Sequence, residues 1–319
     1  MATAATTLDD IRAAQRVIRG RLHRTPVFTS RILGERAGVD LYLKAENLQK
    51  TGSFKVRGVL NKLRHLSDAE KRRGLITISA GNHGQALAYA AAVEGLRATI
   101  VMPGYARATK VAASKAYGAE VVVGGTVHEA FERVEELRRE RSLTLVHPYD
   151  DPFVIAGQGT VGLEILEDVP DVDAVYVGIG GGGLISGVAA AVKQSRPGAR
   201  VVGVEPEGAP TLTAALREHA PVRLDSVETI ADGLGAPVAG ALTLDAVERF
   251  VDEVVLVSDA EIADAMRLLL QHAKLLVEPA GAAGVAALLS GRAASPRRGR
   301  TVALLSGGNV DLGLVKELI

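Results

Sequence analysis

No cysteine occurs in this chain of 319 residues. That removes disulfides, thiolate metal sites and cysteine nucleophiles together. Aromatic residues are scarce, at 3% of the chain against 47% apolar residues, so the core is expected to be aliphatic. Net charge is missing too: 37 Lys and Arg balance 37 Asp and Glu. This argues against a global attraction to nucleic acid or to an anionic membrane. No apolar run reaches membrane-spanning length. The start, MATAATTLDDIRAAQ, lacks the basic stretch and apolar core of a secretory signal. The expectation is a cytoplasmic protein with neither nucleic acid nor membrane as a partner. At this length one large domain or two lobes are accommodated, with a substantial core.

What the chain does have is glycine, 35 residues of it, without a collagen-like or low-complexity pattern. Residues 8–19 read as an amphipathic helix, with Leu8, Ile11, Ala14, Val17 and Ile18 on one face, Thr7 as cap and Gly20 as stop. Short aliphatic runs then alternate with Ala-rich helical ones. LITIS (75–79), ATIVM (98–102), EVVV (120–123), LTLVH (143–147), AVYVGI (174–179), VVGVE (201–205) and VALLS (302–306) read as strands. A final short helix ends at LVKELI. The alternation predicts α/β architecture with mainly parallel sheets. Loops rich in glycine or polar residues follow the strands: SAGNHG (79–84), GIGGGG (178–183), VEPEGAP (204–210) and SGGN (306–309). In open parallel sheets, the crevice beyond the carboxyl ends of the strands is where ligands bind.

Gly180, Gly181, Gly182 and Gly183 follow an apolar strand and precede a helix. A tight turn needs one or two glycines, whereas four expose successive N–H groups at a helix N-terminus and make an anion cradle. Phosphate is the expected ligand. GIGGGG also satisfies the dinucleotide pattern G-x-G-x-x-G, with Glu205 about where a ribose-binding acid belongs, so a nicotinamide-dependent oxidoreductase is a second reading. The triphosphate loop G-x-x-x-x-G-K-[ST] is absent. SAGNHG sets a hydroxyl, backbone N–H groups, a carboxamide and an imidazole at a helix start, which suits a carboxylate. The bland alternative is an ordinary cap made by Ser79 or Asn82. Ser306 ends an apolar strand, placed either to cap the next helix or to meet a ring heteroatom. Lys55, in KTGSFKVRG, is an ordinary solvent lysine on residue type alone. In a closed site it is a nucleophilic amine.

SFKVRG, SAGNHGQALAYAA, HPYDDPFVIAGQGT, GGGGLISG, ETIADG and LLSGGN occur in this order. Together they resemble the threonine/serine dehydratase and serine racemase family of fold type II pyridoxal-phosphate (PLP) enzymes, over nearly the whole chain (residues 24–312). The resemblance implies that Lys55 is the Schiff-base lysine and that Phe54 lies beside the cofactor ring. It also implies that Gly180 to Gly183 with Leu184 hold the phosphate, Asn82 bonds the ring oxygen and Ser306 meets the pyridine nitrogen. Gly233 and Glu278 would line the cofactor, and Ser79, Ala80, Gly81, Asn82 and His83 would bind the substrate carboxylate. The implied reaction is loss of water from L-threonine or L-serine, giving a 2-oxo acid and ammonia, with protonation of the leaving hydroxyl assisted by the PLP phosphate. A serine opposite the ring nitrogen suits a neutral ring, a weaker electron sink that favours elimination.

Two departures bear on this. Racemases of the family carry a second serine in the loop, S-S-G-N-H, as an acid/base. Here that position is Ala80, which disfavours racemisation. The related cation site uses a glutamate, a backbone carbonyl and an aspartate. Glu205 and the Ala209 carbonyl are available, but Thr211 stands at the aspartate position, and losing a carboxylate weakens a hard-cation site. No metal is therefore asserted. The expected organisation is a large PLP-binding lobe (1–64 and 148–319) and a small mobile lobe (65–147). No C-terminal regulatory domain is expected, since few residues follow SGGN. The resemblance also implies a homodimer or higher homo-oligomer. A specialised dehydratase, such as a 3-hydroxyaspartate ammonia-lyase, and a non-catalytic PLP- or small-molecule-binding protein complete the alternatives.

Overall fold

The computed structural model describes residues 6–293 and 298–318. The first helix, Leu8–Ile18, forms as its sequence dictates. Asp10 N donates to the Thr7 hydroxyl while Thr7 N donates back to the Asp10 carboxylate. This reciprocal cap satisfies two donors that a helix start leaves open. Ile11, Ala14 and Ile18 are its buried face. The chain turns away at Gly20, whose φ is +74°.

Among the described residues, ten strands follow in chain order: β1 (Val27–Thr29), β2 (Asp40–Ala45), β3 (Leu75–Ile78), β4 (Ala98–Met102), β5 (Glu120–Val123), β6 (Thr144–Leu145), β7 (Ala174–Gly178), β8 (Arg200–Pro206), β9 (Glu253–Val257) and β10 (Arg300–Leu305). They make two sheets. One has the order β1-β2-β10-β7-β8-β9 and the other β5-β4-β3-β6. All pairings are parallel except β1 with β2. Parallel strands are covered by helices on both faces, so they read as continuous apolar runs rather than alternating ones. β4 and β7 are buried throughout. LTLVH contributes only two residues of regular strand. Val146 N still donates to Ile76 O, but Val146 O receives the Thr77 hydroxyl and the chain leaves the ladder. Ile319, which the sequence reading includes in the last helix, lies outside the described residues.

The core is aliphatic, as the composition predicts. Among the described residues, Phe54 and Tyr176 are the aromatic side chains that count as buried. Small residues let the helices approach closely. A Cβ on Gly157 would lie 2.5 Å from Gly58 Cα, and one on Gly187 would run into Ile155 O. Helix Pro152–Asp168 is thereby wedged against both Lys55–Arg64 and Gly183–Ser195. These two helices begin at the candidate lysine and at the candidate phosphate loop, so the glycine contacts set the distance between them.

A buried ion cluster fixes the same region. Arg57, two residues beyond Lys55, is fully buried and donates to both carboxylate oxygens of Glu46 (2.7 and 2.8 Å) and both of Glu164 (2.7 and 2.9 Å). Lys44 adds an ion pair to Glu164 at 2.8 Å. Burial opposes the guanidinium charge, but the Glu46 and Glu164 carboxylates outweigh it and raise the Arg57 pKa further. Buried charges persist when they are paired and hydrogen-bonded in this way.

Candidate active site

Three strands deliver three loops to one cavity of about 440 Å³. β3 runs into Ser79–His83, β7 into Gly180–Gly183 and β10 into Ser306. Lys55 reaches the same cavity from the start of its helix. Phe54 N donates to Ser306 O at 3.1 Å, and Ser53 bridges Gly307, so the turn before Lys55 is stitched to the end of β10. The Lys55 amine donates to Pro148 O at 2.9 Å and stands 5.2 Å from the centre of the Phe54 ring. Burial, partly opposed by the Glu278 carboxylate, pulls its pKa down to about 8. An amine lowered this far holds a substantial neutral, nucleophilic fraction near neutrality.

The glycine loop is built as a cradle. Gly182 has φ +94° and caps helix Gly183–Ser195 without a side-chain bond. A Cβ on Gly181 would run into the Tyr149 ring, and one on Gly183 would meet Tyr149 Cα at 2.9 Å. Tyr149 is held in turn by its hydroxyl, which donates to Val238 O at 2.8 Å. Among the described residues no protein acceptor meets the amides of Gly180, Gly181 or Gly182. Open N–H groups at a helix N-terminus fit a phosphate. The donors, the enclosed lysine and the ring-sized cavity therefore suit PLP.

On the facing wall, neither Ser79 nor Asn82 caps helix Asn82–Val93: its N-cap is Gly81, with no side-chain bond. The Ser79 hydroxyl instead accepts from Gly81 N at 3.1 Å. The helix start is left open to an anion, which favours the carboxylate reading over the simple cap. His83 lies within the loop, but its Nε2 faces Val146 O at 3.1 Å and must carry the proton. Burial, reinforced by Lys55, drops its pKa to about 3. The imidazole is neutral, and the backbone N–H is what His83 offers a ligand. Ala80 lines the cavity without a titratable group.

Glu278 is buried at the start of helix Pro279–Ser290. Its Oε1 accepts from Asn82 and, among the described residues, its Oε2 meets no hydrogen-bond partner. Burial pushes its pKa up to about 7, against the pull of the Lys110 cation. Gly233 lines the cavity beside Asp232. Glu205 stays out of the cavity lining. It is fully buried at the end of β8, and its carboxylate accepts from Leu212 N (2.6 Å), Thr213 N (2.9 Å) and the Thr213 hydroxyl (2.7 Å). It caps helix Thr211–Glu218 and offers no acceptor to a ribose in the glycine-loop cavity. The Thr211 hydroxyl donates to Ala236 O.

The sequence profile described as "Pyridoxal-phosphate dependent enzyme" matches residues 18–307. The chain belongs to this family. An L-threonine ammonia-lyase of Thermotoga maritima is 47% identical over 315 residues, covering 98% of this chain and 78% of that protein. The catabolic L-threonine dehydratase of Escherichia coli strain K12 is 44% identical over 313 residues, covering 98% and 95%. Among solved structures, a threonine deaminase from T.th. superposes with TM-score 0.90 at 44% identity, covering 96% of this chain and 99% of that one. Maize serine racemase superposes with TM-score 0.93 at 39% identity, covering 98% and 97%. As a PLP family member the chain takes pyridoxal phosphate, and its α/β fold is fold type II.

Several lining residues escaped the sequence reading. Lys110, His147 and Tyr149 all face the cavity. His147 Nδ1 accepts from Asp150 N at 2.8 Å, which fixes its ring. Asn309 donates to both Thr51 O (2.7 Å) and Asn82 Oδ1 (2.8 Å), tying three loops together. Tyr149 and Asn309 lie in quoted motifs, so a signal existed. Lys110 sits in ATKVAASKA, where nothing marks it.

Proposed function

We propose that this chain is a PLP-dependent ammonia-lyase that removes water from L-threonine or L-serine, releasing 2-oxobutyrate or pyruvate and ammonia. The observation that carries the reading is the convergence of the Lys55 amine, the open glycine cradle and Ser306 on one cavity. The similarity to threonine ammonia-lyases over 98% of this chain supports it.

Lys55 would hold the cofactor covalently, Gly180 to Gly183 and Leu184 its phosphate, and Ser306 its ring nitrogen. Phe54, Asn82, Gly233 and Glu278 would surround the ring. When bound, PLP supplies an electron sink that makes the substrate's α-proton acidic. The rest falls to the chain. Ser79 to His83 receive the α-carboxylate at an open helix start. The Lys55 amine, enclosed and with a lowered pKa, is the base placed to take the α-proton. Ala80 puts no second acid on its wall, which favours elimination over racemisation. The reading includes a small lobe, residues 65–147, that closes on substrate. It also includes a homo-oligomer. No helix among the described residues is long and apolar enough to cross a membrane.

The test is keto-acid formation. Purified holoenzyme given L-threonine should accumulate 2-oxobutyrate, and Lys55→Ala should abolish it. An unchanged rate in that variant sinks the assignment.

A further inference from the structure

Among the described residues, the cavity is lined by two lysines, Lys55 and Lys110, and by no arginine. Lys55 is committed to the cofactor in the reading above, on which this inference rests. Lys110 is the remaining cation. Its side chain is only 8% exposed, and a Cβ on Gly81 would come within 3.1 Å of its amine, so it stands directly against the substrate loop. It does not stand there as a free charge. Asp232, from the turn that also carries Gly233, pairs with it at 2.5 Å, and both residues line the cavity. The other lining acids are Glu278, which is buried, and Glu135, which pairs with Arg138. His83 and His147 each have a ring nitrogen fixed by the backbone. Pro103, Phe131, Val134 and Leu145 add apolar side chains to the lining.

We propose that the Lys110–Asp232 pair is a selectivity device that restricts the site to amino acids with an uncharged β-substituent. Asp232 cancels the Lys110 charge that a second carboxylate would otherwise find. A dicarboxylic substrate such as 3-hydroxyaspartate would have to displace Asp232 or remain unpaired in an enclosed site, where an unpaired charge is costly. Threonine and serine ask for no such charge, and the apolar side chains of the lining accept a methyl group. Specificity of this kind arises as much from the rejected ligand as from the accepted one.

Asp232 is partly exposed, with its side chain at 42%, so Asp232→Asn leaves the core untouched while freeing the Lys110 charge. The probes are succinate and butanoate, titrated calorimetrically into wild-type and variant holoenzyme. Wild type should bind succinate no more tightly than butanoate. Asp232→Asn should tighten succinate about tenfold, equivalent to about 1.4 kcal/mol, and move butanoate less than about twofold. The double variant Lys110→Met/Asp232→Asn should lose the gain. In turnover, the 3-hydroxyaspartate to threonine ratio of kcat/KM should rise about tenfold in Asp232→Asn. Succinate affinity unchanged by Asp232→Asn, a gain that survives without Lys110, or a wild type that prefers the dicarboxylate would each overturn the proposal. Absence of keto acid from threonine and serine in wild type would instead overturn the underlying functional reading, which the binding titrations do not depend on.

Discussion

The side-chain amide of Asn82 donates to Glu278 Oε1 at 2.5 Å, joining the open start of one helix to the buried start of another. Among the described residues Glu278 Oε2 has no hydrogen-bond partner, so the carboxyl is held where its charge is poorly compensated.

A pH dependence follows. Burial raises the Glu278 pKa from 4.5 to about 7, so the folded protein binds this proton more tightly than the unfolded chain does. Stability is then lost as pH rises from about 4.5 to about 7. The loss is on the order of 3 kcal/mol. Cofactor-free Glu278→Gln should unfold at higher denaturant than wild type at pH 8 and converge with it near pH 4.5. A difference independent of pH would contradict the assignment.

Ala80→Ser should introduce racemisation. The substitution places a hydroxyl on the cavity wall where the chain now has a methyl group. Chiral chromatography of product mixtures from L-serine should reveal D-serine in the variant and only traces in wild type. Equal D-serine in both would show that Ala80 does not limit the outcome.

Gly181→Ala tests the cradle. Its Cβ would overlap the Tyr149 ring, so either the loop or the ring must shift. Fluorescence titration should show PLP binding at least about tenfold weaker. A Tyr149→Ala companion change should recover part of the loss, because it removes the clashing ring. Unchanged affinity in Gly181→Ala would move the phosphate elsewhere.

Much of this was legible in the sequence because the chemistry lies in short runs after strands. SAGNHG, the tetraglycine and SGGN all emerge at carboxyl ends of parallel strands and meet, as their positions predict. Less legible were helices such as Pro152–Asp168. It is buried nearly all round, and its glycines answer to Gly58 and Gly187 rather than to an amphipathic period. β9, EVVLV, lacks a distinctive loop after it, and β1 is only three residues long. Lys110 was invisible for another reason. Its role depends on Asp232, 122 positions away, and no local pattern encodes that pairing.

The buried cluster around Arg57 predicts a stability effect. Arg57→Met would leave Glu46 and Glu164 without their main partner in the interior. Removing one partner of a buried pair costs about 3–5 kcal/mol. Urea unfolding should show a loss of that order. A loss below about 1 kcal/mol would mean that water or Lys44 compensates the carboxylates.

The central claim is that Lys55 carries the cofactor. The direct measurement is the absorption spectrum of PLP-loaded protein before and after borohydride, followed by peptide mapping. The account predicts a visible band that borohydride bleaches, with the reduced cofactor fixed covalently on Lys55 alone. The free amine should capture PLP faster as pH rises through about 8, where its pKa lies. No visible band after adding PLP, or label on a lysine other than Lys55, would contradict it.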